Sequence, residues 1–162
     1  MRILLDDCPF GDITTQGLGI GRAPARALLA ARDDMTLAGV EEAARMLALC
    51  GAEARIINAS GASIAAGTPI LAVTGTDGAL HRGYKMAQTL LEILGGIATA
   101  ARAIVQTAQA QRPECRVVCT RKHMPGIKRW AVKEIEAGGA SPHRLGLSDS
   151  ILVFDEGRPA AD

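Results

Sequence analysis

The longest pattern in the sequence runs from Leu80 to Gln111 and reads as one helix, weak only at Gly95-Gly96. A glycine in a helix interior costs about 1 kcal/mol relative to alanine. The pair therefore predicts a break or a close packing contact. It also marks the best division of the chain, into residues 1–95 and 96–162.

The partners of this helix must be small or aliphatic. Aromatic side chains make up 2% of the chain and hydrophobic ones 48%, so the core favours helices packed on sheets over an aromatic-rich β-sandwich. Residues 1–22 read as loop, punctuated by Gly11, Gly17, Gly19 and Gly21. Ala23 to Ala31 reads as a first strand, and Thr36 to Gly39 as a short apolar segment. Val40 to Cys50 reads as a helix, with Val40, Ala43, Ala44 and Leu47 on one face and Gly51 as its stop. Strands are expected at Glu53–Asn58 and Pro69–Thr74. Together these predict an α+β unit. Beyond the long helix, Cys115–Thr120 reads as a short strand and Ile127–Ala137 as a helix ended by Gly138-Gly139, with further strand material at Leu145 and Ile151–Phe154. Strand, helix, strand is the start of a βαβ pattern with a parallel sheet. The fold class expected is α/β.

Eighteen Lys and Arg face 17 Asp and Glu, a formal net charge of +1. That balance argues against a general nucleic-acid or membrane surface, so any basic site must be local. Cys8, Cys50, Cys115 and Cys119 form no C-x-x-C pair, no His pair has zinc spacing, and no metal-ligand set is expected. Cys115 and Cys119 are expected reduced in a core. The N-terminal Met1–Asp7 is too short and acidic for a signal peptide, and no apolar run approaches the ~18 residues of a membrane span. A cytoplasmic location is expected.

Two basic doublets could carry chemistry. Thr120-Arg121-Lys122 directly follows a strand, where βα folds place their catalytic groups. Arg forks onto carboxylate or phosphate and Lys adds a point charge. His143-Arg144 follows the Gly-Gly helix stop and could form a second anion clamp on the same face. Taken alone, the first doublet could equally be a solvated turn and the second reads better as a surface loop; two doublets at successive strand boundaries make the joint reading stronger than either alone. Lys85 and Arg82 read as plain solvated helix positions. Gly17-x-Gly19-x-Gly21 lacks the strand–turn–helix setting of a dinucleotide loop and is rejected. Asp12 with Thr14 and Thr15 reads as capping chemistry. His81 and His123 show no convincing partners.

Taken in order, several segments carry a family resemblance: Gly11-Asp-Ile-Thr-Thr15, Leu37-Ala-Gly-Val-Glu-Glu-Ala43, Gly67-Thr-Pro-Ile-Leu71, Gly96-Ile-Ala-Thr99, Thr120-Arg-Lys122 with Pro125-Gly126, and Gly138-Gly139 with His143-Arg-Leu-Gly-Leu147. The chain resembles the quinolinate phosphoribosyltransferase (nicotinate-nucleotide pyrophosphorylase, carboxylating) family over roughly residues 4–155. Two departures, Tyr84-Lys85 for the family's Glu-Arg and Phe154 for its strand lysine, are similar to its ModD-type branch, linked to molybdenum transport.

The resemblance implies an N-terminal α/β sandwich followed by the start of an incomplete α/β barrel, in a homodimer. It implies that Arg121, Lys122, His143 and Arg144 bind substrate carboxylates, that Lys122 is catalytic, and that Lys85 replaces an arginine from the neighbouring subunit. It also implies phosphoribosyl pyrophosphate and a pyridine carboxylate such as quinolinate as substrates. Mg2+ is the implied cofactor, with ligands beyond this chain. A non-catalytic anion- or nucleotide-binding protein in molybdenum utilisation, or an inactive fragment, are the alternatives. A parallel sheet ending after its first strands is expected to expose an edge and an apolar face.

Overall fold

The computed structural model describes residues 2–154. Two short helices open it, α1 (Arg2–Asp7) and α2 (Ile13–Gly17), where the sequence reads as loop. Asp12 explains the second: its Oδ1 accepts the Thr15 N–H at 3.0 Å, the N-cap bond that lets so short a helix form. Burial then alternates residue by residue along β1 (Pro24–Ala30), turning Ala25, Ala27 and Leu29 toward the core. The short β2 (Met35–Thr36) leads into α3 (Val40–Leu49), which buries Val40, Ala43, Met46 and Leu47. Next come β3 (Glu53–Ile56), β4 (Ser63–Ile64) and β5 (Pro69–Thr76).

β1, β5 and β3 form an antiparallel sheet in that order, with β5 central; β2 and β4 pair antiparallel beside it. Helices cover one face of the sheet, and Leu47, Leu71, Val73 and Ala87 meet between them.

α4 (Asp77–Gln111) is a single uninterrupted helix. It starts three residues earlier than its apolar pattern, because the Thr76 hydroxyl caps it through the Ala79 N–H at 3.2 Å. Gly95-Gly96 does not break it; the first glycine makes the close packing contact instead. A Cβ on Gly95 would lie 2.3 Å from Met35 Cε. Just beyond, the Thr99 hydroxyl accepts the Thr36 N–H at 2.9 Å and donates to Gly95 O at 2.7 Å. The Gly-Ile-Ala-Thr stretch thus docks β2 on the helix. Gly96 faces open space.

By length and composition α4 could cross a membrane, with a window of mean hydropathy 1.3. This differs from the expectation of no such segment, since interspersed glycine, alanine and threonine hide the run. In the fold the apolar stripe is used internally. Ala79, Leu80, Ala87 and Leu91 face the sheet and α3, and Leu90, Leu94 and Ala98 serve a second core with Met46 and Trp130.

The remainder is β6 (Val118–Cys119), α5 (Lys128–Ala137) and β7 (Ser141–Pro142). β6 and β7 pair in parallel, so strand–helix–strand holds, but the strands are two residues long. Leu145 and Ile151–Phe154 form no strand. With so little sheet above them, Cys115 and Cys119 are free and only half-buried rather than core residues. Val118 is 50% exposed.

Gly138, at the end of α5, lies against the backbone of α4. A Cβ there would sit 2.6 Å from Ala98 O and from Ala101 Cβ. Gly138→Ala should therefore destabilise the chain by roughly 1–3 kcal/mol. Gly96→Ala, in open space on a helix, should stabilise it by about 1 kcal/mol. Urea denaturation followed by circular dichroism reads both, and equal effects at the two positions would contradict this packing.

Candidate functional site

The site begins with the parallel pair. Cys119 lies opposite Pro142, and the backbone continues the ladder on either side. The Ser141 N–H donates to Val117 O at 3.1 Å and the His143 N–H to Cys119 O at 2.9 Å. Both strands run the same way, so Thr120-Arg121-Lys122 and His143-Arg144 leave them side by side at their carboxyl ends.

These ends open on a cavity of about 600 Å³ between α4 and α5, within the usual range for small-ligand sites. Its walls are largely apolar, with Leu94 and Ile97 from α4 and Ile127 and Trp130 from the α5 side. Four cationic side chains line it, Arg121, Lys122, Lys128 and Arg144, against one carboxyl, Glu134. Arg144 is held in place, its Nη1 donating to Ser150 O at 3.0 Å, while Asp149 Oδ2 accepts the Leu145 N–H at 2.7 Å and closes the same turn. The Lys122 N–H donates to Thr120 Oγ1 at 3.3 Å.

Three of the five residues singled out in the sequence, Arg121, Lys122 and Arg144, therefore meet in one cavity. His143 does not line it and is exposed; side chains alternate along extended backbone, so Pro142 and Arg144 face in and His143 faces away. Lys85 is exposed on α4, away from this cavity. Sequence reasoning missed Lys128 and Glu134 and left His123 unassigned, although all three line it. Helical spacing could have found Glu134, which shares a stripe with Ile127 and Ala131 at i, i+4 and i+7. A larger groove of about 920 Å³ between β1 and α4 carries Asp33, Asp34 and Glu92 against Arg32, a negative balance that does not favour an anion.

The α5 wall is fixed by a charged clamp. Lys133 Nζ donates to Glu41 Oε2 and Glu42 Oε2, each at 2.7 Å. Glu41 in turn accepts from the Ser60 N–H at 3.1 Å and from the Ser60 hydroxyl at 2.6 Å. Ser60 Oγ accepts the Val40 N–H at 3.1 Å, capping α3 from a distant loop. Burial opposes the charged form of Glu41, but the hydrogen bonds from Lys133 and Ser60 outweigh it and hold the carboxyl at about 2. Lys133 is likewise penalised by burial, yet bonds to the two glutamates raise its pKa.

Among the described residues no group of three or more His, Cys, Asp or Glu side chains could hold a metal ion. One carboxyl among four cations does not suit Mg2+, which takes oxygen ligands; the resemblance places the ligands of that ion beyond this chain.

A parallel βαβ unit with cations gathered at its strand ends defines an α/β protein with a cationic cavity. Comparison with known proteins makes this specific. Residues 12–94 match the model of the quinolinate phosphoribosyl transferase N-terminal domain, and residues 97–162 that of its C-terminal domain. The chain belongs to the quinolinate phosphoribosyl transferase family. It is 44% identical over 158 residues to a ModD protein of Rhodobacter capsulatus, covering 98% of this chain and 61% of that one. It is 36% identical over 160 residues to a Synechocystis protein named as a probable nicotinate-nucleotide pyrophosphorylase (carboxylating), covering 98% and 53%. The NadC structure from Streptococcus pyogenes superposes with a TM-score of 0.89 at 24% identity, covering 96% of this chain and 55% of that one, which shows the shared α/β fold. The chain thus spans little more than half the length of the relatives it matches.

The clamp makes stability pH-dependent. Because the Glu41 pKa is depressed on folding, its contribution is present above about 4.5 and is lost as pH falls toward about 2. Lys133→Met should cost roughly 1–2 kcal/mol near neutral pH, between the values of exposed and buried pairs. The gap between wild type and variant should shrink as pH falls through that window. Denaturant titrations at several pH values test it; a pH-independent gap would exclude the clamp as its source.

Proposed function

We propose that this chain carries the acceptor-binding part of a phosphoribosyltransferase of the nicotinate-nucleotide diphosphorylase (carboxylating) type. Its substrates are phosphoribosyl pyrophosphate and a pyridine carboxylate such as quinolinate. The observation that carries the proposal is the meeting of Arg121, Lys122 and Arg144 at the ends of two adjoining parallel strands, on a largely apolar cavity.

A planar dicarboxylate suits such a place. Guanidinium groups pair with carboxylates at two points, and apolar walls that exclude water strengthen each charge. In this reading Arg121, Lys122 and Arg144 hold the ring carboxylates, and His143 reaches them only if its exposed side chain turns in. Lys122 is the catalytic cation, a fixed charge where electron density shifts during transfer. Lys85 reaches the site of a neighbouring copy in a homodimer.

The ring nitrogen forms a bond to the anomeric carbon of the ribose. The bond from that carbon to pyrophosphate breaks, and its electron pair leaves with the pyrophosphate. The neighbouring carboxylate departs as carbon dioxide, and the ring carbon takes up a proton. Positioning and preorganised charge matter more here than a protein nucleophile, because the sugar passes through a cationic state. The family's soluble α/β fold supports a cytoplasmic setting.

Calorimetric titration of the chain with quinolinate tests the binding step. Wild-type protein should bind, and Arg121→Ala should weaken binding roughly tenfold or more, the worth of one charge-assisted pair. Binding that survives both Arg121→Ala and Arg144→Ala, or a folded sample that does not bind, would overturn the proposal.

A further inference from the structure

The second basic doublet loses a member in the fold. Arg144 lines the cavity, but His143 is exposed and does not. Another cation stands nearby. Lys128, the first residue of α5, also lines the cavity. Its ammonium lies beside the turn that Arg144 opens, since a Cβ on Gly146 would be 3.6 Å from Lys128 Nζ. No carboxylate among the described residues, Glu134 included, forms an ion pair with Lys128. The helix does not favour the charge either. The first turn of α5 holds no acidic residue, starts without a side-chain cap, and carries Arg129 as a second cation. A helix start favours anions and disfavours cations. The described fold therefore gives this ammonium no electrostatic reward, whereas an anion in the cavity would.

We propose that Lys128 forms the second clamp of the site together with Arg144, in the place that the sequence assigns to His143. The cations then fall into two pairs, Arg121 with Lys122 after β6 and Arg144 with Lys128 at the turn after β7. Two pairs suit two carboxylates, one each. The inference rests on the anion-binding reading of this cavity and adds the residue that reads the second acidic group. A ligand with a single carboxylate can use either clamp, so losing one costs it little. A dicarboxylate needs both, and Lys128 thereby contributes to selectivity for the dianion.

The test titrates quinolinate and nicotinate calorimetrically into the full chain as wild type, Lys128→Met, Lys128→Arg, Arg129→Met, His143→Ala and Arg121→Ala. Lys128 is exposed, so its variants should fold, which circular dichroism checks. Arg129→Met removes the same charge from the same helical turn, at a residue that does not line the cavity. Lys128→Met should weaken quinolinate binding roughly fivefold or more, the worth of one exposed ion pair. Nicotinate should lose much less. Lys128→Arg should keep the preference for the dianion, and both Arg129→Met and His143→Ala should cost quinolinate less than Lys128→Met does. If Lys128→Met weakens both ligands alike, or no more than Arg129→Met, the lysine supplies only diffuse charge and the proposal fails. If His143→Ala costs more than Lys128→Met, the second clamp is His143 with Arg144, and the proposal again fails. In either case a loss of quinolinate binding in Arg121→Ala leaves the anion site standing. If folded wild-type protein binds neither ligand, both readings fall.

Discussion

The close approach of α5 to α4 at Gly138 is the constraint on which the site depends. With only a hydrogen on that Cα, the end of α5 meets the α4 backbone at Ala98. Arg102 reinforces the junction, its Nη2 donating to Gly61 O at 3.1 Å and Ala137 O at 3.4 Å. α4 runs unbroken through both cores, so the position of α5 on it also fixes where β6 and β7 end. The cations at those ends inherit their geometry from a glycine contact outside the cavity.

Adjacent residues of α5 show how one helix does two jobs. Lys133 reaches out to Glu41 and Glu42 on α3, and Glu134, about 100° further round the helix, is buried at the cavity. The first is matched by two carboxylates, one of which also accepts from the remote Ser60, and its charge ties α5 to the antiparallel unit. The Oε2 of the second has no hydrogen-bond partner among the described residues.

Much of the architecture was legible because its signals are local. α3 and α5 follow from apolar spacing and glycine stops, and β1, β3 and β5 from short runs framed by turn residues. The extra turn at the start of α4 and the whole of α2 were missed because single side chains, Thr76 and Asp12, cap them against a loop-like composition. The expected strand at Ile151–Phe154 fails for the opposite reason. Apolar residues make a strand only where a neighbouring strand supplies hydrogen bonds, and none among the described residues does so here.

The sequence by itself determined the α/β order, the two basic doublets at successive strand ends and the family resemblance that the comparisons bear out, since these rest on periodicity and on residue types at fixed spacing. Only the tertiary structure decided that Gly95 packs rather than breaks α4, that Arg144 faces the cavity while His143 turns away, and that Glu134 is buried beside the cations. Each of these depends on what approaches from a distant part of the chain, and spacing along one strand or helix carries no record of that.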